Sequence, residues 1–183
     1  MVLVGQYNQH HVQQDEQRLM KLREIKVNGH WPINLSWLED PVRPELNREF
    51  RHTAGREVFT NDGAIICVAY CNDVPTSVSD LDTMVGLDCA VFYTVWSRQP
   101  GAGRQLVVDL WKHMLKTRPH IKRYVTLSPK TKMAWNFHIR NGAKMLRHNK
   151  DTDNYEYSEE ELIRDESGWH KEKIKRKDGG PEY

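Results

Sequence analysis

Apolar positions along this chain recur with two different periods, and the switches between them mark its elements. Residues 56–60 and 64–71 are rich in Val, Ile, Phe and Cys and read as two strands. They are joined at Asn61-Asp62-Gly63, where tolerance of positive φ favours a hairpin turn. The second strand is apolar on both faces, which suits a central position in a sheet. Residues 89–96, Cys-Ala-Val-Phe-Tyr-Thr-Val-Trp, form a third run whose length and β-branched content again predict a strand. After an Arg-Gln-Pro-Gly-Ala-Gly turn the period changes. Leu106, Val107, Leu110, Trp111, Met114 and Leu115 fall on one side of a helix over residues 104–116, which Thr117-Arg118-Pro119 ends. Residues 123–127 alternate Tyr124 and Thr126 against Val125 and Leu127, a strand pattern. Ser128-Pro129 reads as an N-cap with proline at the first helical position. The helix it opens turns Met133, Ala134, Trp135, Phe137 and Ile139 toward the core and stops at Gly142. Residues 144–148 and 154–157 complete a last hairpin.

The rest is less periodic. Residues 2–4 suit an edge strand or a loose end, and residues 9–27 carry a loose stripe of Val12, Leu19, Leu22 and Ile25 that predicts a helix stopped by Asn28-Gly29. Residues 30–50, with two tryptophans and three prolines, read as a packed connector. Residues 72–88 predict a loop or short helix. Beyond Ser158 the charge density predicts a short helix and an unstructured tail. The domain plan is a single unit over residues 1–158, with a variable helical part at 1–55 and a core at 56–158, followed by a charged extension at 159–183.

Composition changes little in that picture. With 183 residues and 38% hydrophobic content the chain can bury one good core. No apolar run approaches the length of a membrane span and no charged-then-apolar leader is present, so neither a span nor secretion is expected and a cytoplasmic location is. Cys67, Cys71 and Cys89 read as buried reduced thiols rather than a disulfide framework. Charge does change the picture, because the net of +2 hides a lopsided distribution. Residues 98–150 hold thirteen Lys and Arg against the single acid Asp109, and both flanks are acidic. A basic block attracts a polyanion, and it sits beside the Gly-rich turn.

That turn is the first candidate site. Gly101 and Gly103 let backbone amides approach a ligand closely, and the helix that follows aims its N–H groups and positive dipole end at the same point. Together they predict an anion site, most naturally for phosphate. No Gly-Lys-Ser/Thr follows, so this is no Walker loop, and the third glycine of the dinucleotide pattern is missing.

Arg98-x-x-Gly101-x-Gly103 resembles the Arg/Gln-x-x-Gly-x-Gly/Ala motif of the GNAT superfamily of N-acetyltransferases. The stretch Ala134-Trp135-Asn136-Phe137-His138-Ile139-Arg140-Asn141-Gly142-Ala143 is similar to that family's Ala-x-x-Phe-Tyr-x-x-x-Gly-Phe helix end. The resemblance covers residues 57–157. It implies an α+β, acyl-CoA N-acyltransferase (GNAT) fold, with a mixed, mostly antiparallel central sheet flanked by helices. It also implies acetyl-CoA as co-substrate and an amine of a small molecule or protein as acceptor. Val95, Trp96, Arg98, Gln99, Gly101, Ala102, Gly103 and Arg104 would hold the CoA. The family's acidic Tyr is replaced here by His138, which near its reference pKa of about 6.5 could still donate a proton. The core strand carries no carboxylate, which leaves Asp88 and Glu57, at strand ends, as candidate bases. No His-Glu-x-x-His spacing appears, so no metal site is expected. The missing Tyr and carboxylate support a second reading, a GNAT-fold protein with a structural or binding role and little or no turnover. Residues 90–142 also resemble acetyltransferase-like proteins of tailed bacteriophages, which implies the virion as a second location and phage particle proteins as partners. Nucleic acid is not an expected partner, since CoA accounts for the basic block.

Overall fold

The computed structural model describes residues 22–162. The expected strand at 2–4, most of the expected helix at 9–27 and most of the charged extension lie outside them. Eight strands form one sheet: β1 (Arg23–Glu24), β2 (Arg56–Thr60), β3 (Ala64–Cys71), β4 (Cys89–Ser97), β5 (Arg123–Thr126), β6 (Ser128–Pro129), β7 (Lys144–His148) and β8 (Thr152–Tyr157). Their order is β1-β2-β3-β4-β5-β8-β6, with β7 on β8, and the pairing of β4 with β5 is parallel while every other is antiparallel. Two longer helices, α3 (Ala102–Thr117) and α4 (Lys132–Arg140), cover one face. The connector over residues 25–50 covers the other, together with the short helices α1 (Arg48–Arg51) and α2 (Asp80–Thr83).

Two cores follow from the period-2 alternation of the central strands. Ile66, Val68 and Phe92 face α3, and Ile65, Cys67, Val91 and Tyr93 face the connector. Strand pairing corrects the described end, from residue 22 on, of the helix expected over residues 9–27. Arg23 and Glu24 pair with Thr60 and Phe59, and Ile25 N–H donates to Val58 O at 2.8 Å. Leu22 and Ile25, three apart, lie on opposite faces of the sheet, as a strand requires and a helix does not.

The helix expected from Ser128-Pro129 also starts later. Those two residues form β6 against Asp153 and Thr152, an edge position where proline's missing N–H costs no ladder bond. Thr131 is the true N-cap, its Oγ1 accepting from Ala134 N–H at 3.1 Å. Gly142, at φ +84°, does close α4. Its N–H donates to Ile139 O and that of Ala143 to His138 O, the paired bonds of a Schellman end. Met133 and Leu115, expected to face the core, are 58% and 39% exposed. Cys67, Cys71 and Cys89 are free and buried, and burial pushes the Cys67 thiol up to about 12.

Candidate functional site

The site begins where β4 and β5 part. Their last ladder bond is Leu127 N–H to Phe92 O at 3.1 Å, after which the chain leaves β4 to form β6 against β8. A bulge at the same point in β4, between its pairings with Cys67 and Val68, leaves Tyr93 unmatched on β3. Beyond the bulge Arg98 N–H turns to Gly63 O, so by alternation the peptide groups of Val95 and Ser97 face away from β3, into the divergence. The result is a cleft of about 200 Å3 running from the connector face to the helix face. Val42, Thr94 and Trp96 line it from one side and Ser128, Phe137 and His138 from the other.

At the open end of the cleft the chain makes the Gly-rich turn. Gly101 has φ +79°, a conformation only glycine adopts without strain, and a Cβ there would meet nothing within 4 Å. The space over the turn is therefore open to a ligand. Helix α3 starts at Ala102, two residues earlier than expected, and its first intrahelical bond runs from Gln105 N–H to Gly101 O. The amides of Gly103 and Arg104 precede that bond and belong to the dipole's positive end. Gly103 serves packing, since its Cβ would lie 3.3 Å from the Phe137 ring. Arg104 ties the start of α3 to the end of α4 through Asn141 Oδ1 at 3.0 Å, and Arg98 Nε donates to Asn34 O. Val95 and Trp96 thus line the cleft, while Arg98, Gln99, Gly101, Ala102, Gly103 and Arg104 build the turn above it.

His138 lines the cleft and is nonetheless 6% exposed. It stacks on Tyr155, with ring centroids 4.8 Å apart, and lies 2.9 Å from both Tyr157 Oη and Ser128 Oγ. Burial pushes its imidazole down to about 3, which holds the ring neutral at physiological pH, so of the two forms expected to donate it is the neutral one that the cleft offers. Burial also holds Tyr157 as a phenol. The assignment that gives each hydrogen an acceptor runs from Tyr157 O–H to Nδ1, from Nε2–H to Ser128 Oγ, and from Ser128 O–H to Thr126 Oγ1 at 3.0 Å.

The two candidate bases lie elsewhere. Asp88 is exposed just before β4, roughly 16 Å along the strand from Tyr93 at about 3.3 Å per residue. Glu57 accepts from Tyr70 Oη and Arg118 under the far end of α3. Neither reaches the cleft. Sequence reading missed Ser128, which it assigned to a helix cap, although Thr126 and Ser128 at i and i+2 already put two hydroxyls on one strand face. It also missed a buried charge cluster in the connector. Asp40 accepts from Arg51 Nη1 at 2.7 Å and from Thr94 Oγ1 at 2.9 Å, and both side chains of the ion pair are fully buried. Among the described residues no group of three His, Cys, Asp or Glu could hold a metal ion, and no helix is long and apolar enough to cross a membrane.

No protein family's sequence model matches the chain, and no curated protein matches it in sequence. Solved structures do match in shape. Malonyl-CoA decarboxylase from Cupriavidus metallidurans aligns with a TM-score of 0.56 at 15% identity, over 78% of this chain and 61% of that one. The decarboxylase from Agrobacterium vitis gives 0.48 at 22% identity, over 66% of this chain and 36% of that one. A GNAT family acetyltransferase from Elizabethkingia anophelis, solved with acetyl-CoA bound, gives 0.46 at 10% identity, over 74% and 93%. The chain thus spans 61% and 36% of the length of these two decarboxylases, less than two thirds of either. Its fold is the acyl-CoA N-acyltransferase (GNAT) fold: a mixed sheet that splays between β4 and β5, with a Gly-rich turn and α3 beside the splay.

Proposed function

We propose that this chain is an acyl-CoA-dependent N-acyltransferase that transfers an acetyl group to an amine. The observation that carries the reading is that the strand lining the β4–β5 cleft as far as Ser97 runs on within four residues into an open turn at Gly101. A molecule with a pyrophosphate at one end and a narrow acyl-bearing arm at the other suits both. The turn from Arg98 to Arg104 would hold the phosphates, and the peptide groups of Val95 and Ser97 would hold the arm. Bringing acceptor and thioester together supplies most of the acceleration.

Within the cleft, Ser128 is the hydroxyl that meets the acyl end, with His138 and Tyr157 behind it. Turning its hydrogen from Thr126 to the leaving sulfur costs one rotation about a single bond, and His138 Nε2–H keeps the oxygen in place while it does so. His138 thus acts as a neutral positioning donor. A second reading, a protein that binds CoA without turning it over, is favoured by one observation: among the described residues no carboxylate lines the cleft. Calorimetry with acetyl-CoA, followed by a screen of amines for free-thiol release, separates the two. The transferase reading expects both binding and release. Ser128→Ala is then expected to lower turnover by about a hundredfold with CoA affinity retained. Absence of acetyl-CoA binding at millimolar ligand would sink both readings.

A further inference from the structure

One buried side chain bridges β4 and β5 at the point where they separate. One step beyond the bond from Leu127 N–H to Phe92 O, the carbonyls of Tyr93 and Leu127 face the gap. With β6 turned away to β8, neither strand supplies the other with a donor there. Arg43 fills the gap from the connector. Its Nη2 donates to Leu127 O at 2.9 Å and its Nε to Tyr93 O at 3.4 Å, and it is 7% exposed. It is itself fixed, because its backbone N–H donates to the buried Asp40 Oδ1 at 3.0 Å. Its neighbours Pro41 and Val42 line the cleft.

We propose that Arg43 is a positioning residue, a guanidinium staple that sets the width of the cleft on its connector side. On the acyl-CoA reading, from which this inference takes its ligand, it thereby fixes where the acyl end of the arm comes to rest. The chemistry explains the residue type. A divergence between parallel strands leaves two carbonyls on opposite sides of a gap, and buried carbonyls must find donors. A planar guanidinium carries several N–H groups in a rigid fork and can serve both at once, whereas a compact ammonium serves one geometry at a time. The staple holds the strands apart by a fixed amount and also keeps them from separating further. Its contacts, to Tyr93 O, Leu127 O, Asp40 and Glu45, include no residue of the Gly101 turn.

The test uses Arg43→Met and Arg43→Lys, with amide hydrogen exchange of the ligand-free protein and calorimetry with two probes. Exchange is expected to quicken locally over residues 93–97 and 127–131 in Arg43→Met and to stay unchanged in the first turn of α3. Acetyl-CoA affinity is expected to fall about tenfold, while ADP, which has the diphosphate without the arm, keeps its own affinity. Arg43→Lys is expected to fall between wild type and Arg43→Met, and it carries the measurement if Arg43→Met does not fold. Unchanged exchange overturns the staple, and so does an equal loss for acetyl-CoA and ADP. If wild-type protein binds no acetyl-CoA, the acyl-CoA reading fails on its own, and the exchange arm still decides the staple.

Discussion

The unit formed by β4 and α3 has two ends about 24 Å apart, the length of a sixteen-residue helix, and they are built on opposite principles. At the start of α3 the chain removes side chains. Gly101 leaves open space above the turn, and the helix amides face it. At the end of α3 the chain adds them. Arg118, the C-cap, pairs with Glu57 and lies over the Tyr70 ring, 4.2 Å from its centroid. Burial and the bond to Glu57 raise the Tyr70 phenol far above its ordinary value, so it stays a donor. One end is left open, as the proposed anion site requires, and the other is a latch. Both carry charge and polar groups, so residue type alone does not separate them. What does is whether the groups already satisfy one another.

The largest effect is expected at the open end. Gly101→Val places a β-branched side chain at φ +79°, with a strain of about 1–3 kcal/mol, and puts its methyls where a phosphate would sit. CoA affinity is expected to fall by about a hundredfold or more while the fold survives, as checked by calorimetry beside a thermal melt. Retained affinity would mean that the open turn is not where the phosphates bind.

Between the two ends lies His138, and here the expected effect is on stability. In the unfolded chain the imidazole takes up a proton below about 6.5, while in the fold it stays neutral down to about 3. The unfolded state therefore binds the extra proton across that window. The stability that depends on the neutral imidazole is complete above it and drains as the pH falls, by up to about 1.4 kcal/mol per pH unit. Denaturant unfolding at pH 7 and pH 5 should show about 2 kcal/mol more loss in wild type than in His138→Asn. Equal losses would mean that the ring is solvated and titrates normally. The same burial predicts that turnover does not follow an imidazole titration near pH 6.5.

The regular half of the molecule was legible because each of its signals is local. Strands at 56–60, 64–71 and 144–148 match their expected bounds, since alternation, β-branching and the Asn-Asp-Gly turn all act within a few residues. The Gly turn was legible for the same reason. What could not be read depends on partners distant in sequence. Asp40 and Thr94 are 54 residues apart, and Arg43 and Leu127 are 84 apart. Neither contact leaves a periodic trace. Ser128 was misassigned because Ser-Pro fits a helix start and an edge strand equally well until β8 is present to pair with it. Glu57 looked like a base because sequence cannot tell an available carboxylate from one already held by Tyr70 and Arg118.

The smallest effect is expected at the latch, and its value lies in what it leaves unchanged. Arg118→Ala removes a partner that is 30% exposed from a carboxylate that is 21% exposed, so solvent already screens much of their attraction. The loss is expected to be about 1 kcal/mol, somewhat above a surface pair because Tyr70 loses its cation as well. Glu57→Gln keeps the shape and should cost no more. Neither change reaches the cleft, so acetyl-CoA affinity and thiol release should match wild type within error once the proteins are compared well below their melting temperatures. A drop in turnover for Glu57→Gln at full CoA affinity would put Glu57 back among the catalytic groups. The two ends of the unit would then work together, with a proton path along β2 and β3 that the Tyr70 and Arg118 contacts give no reason to expect.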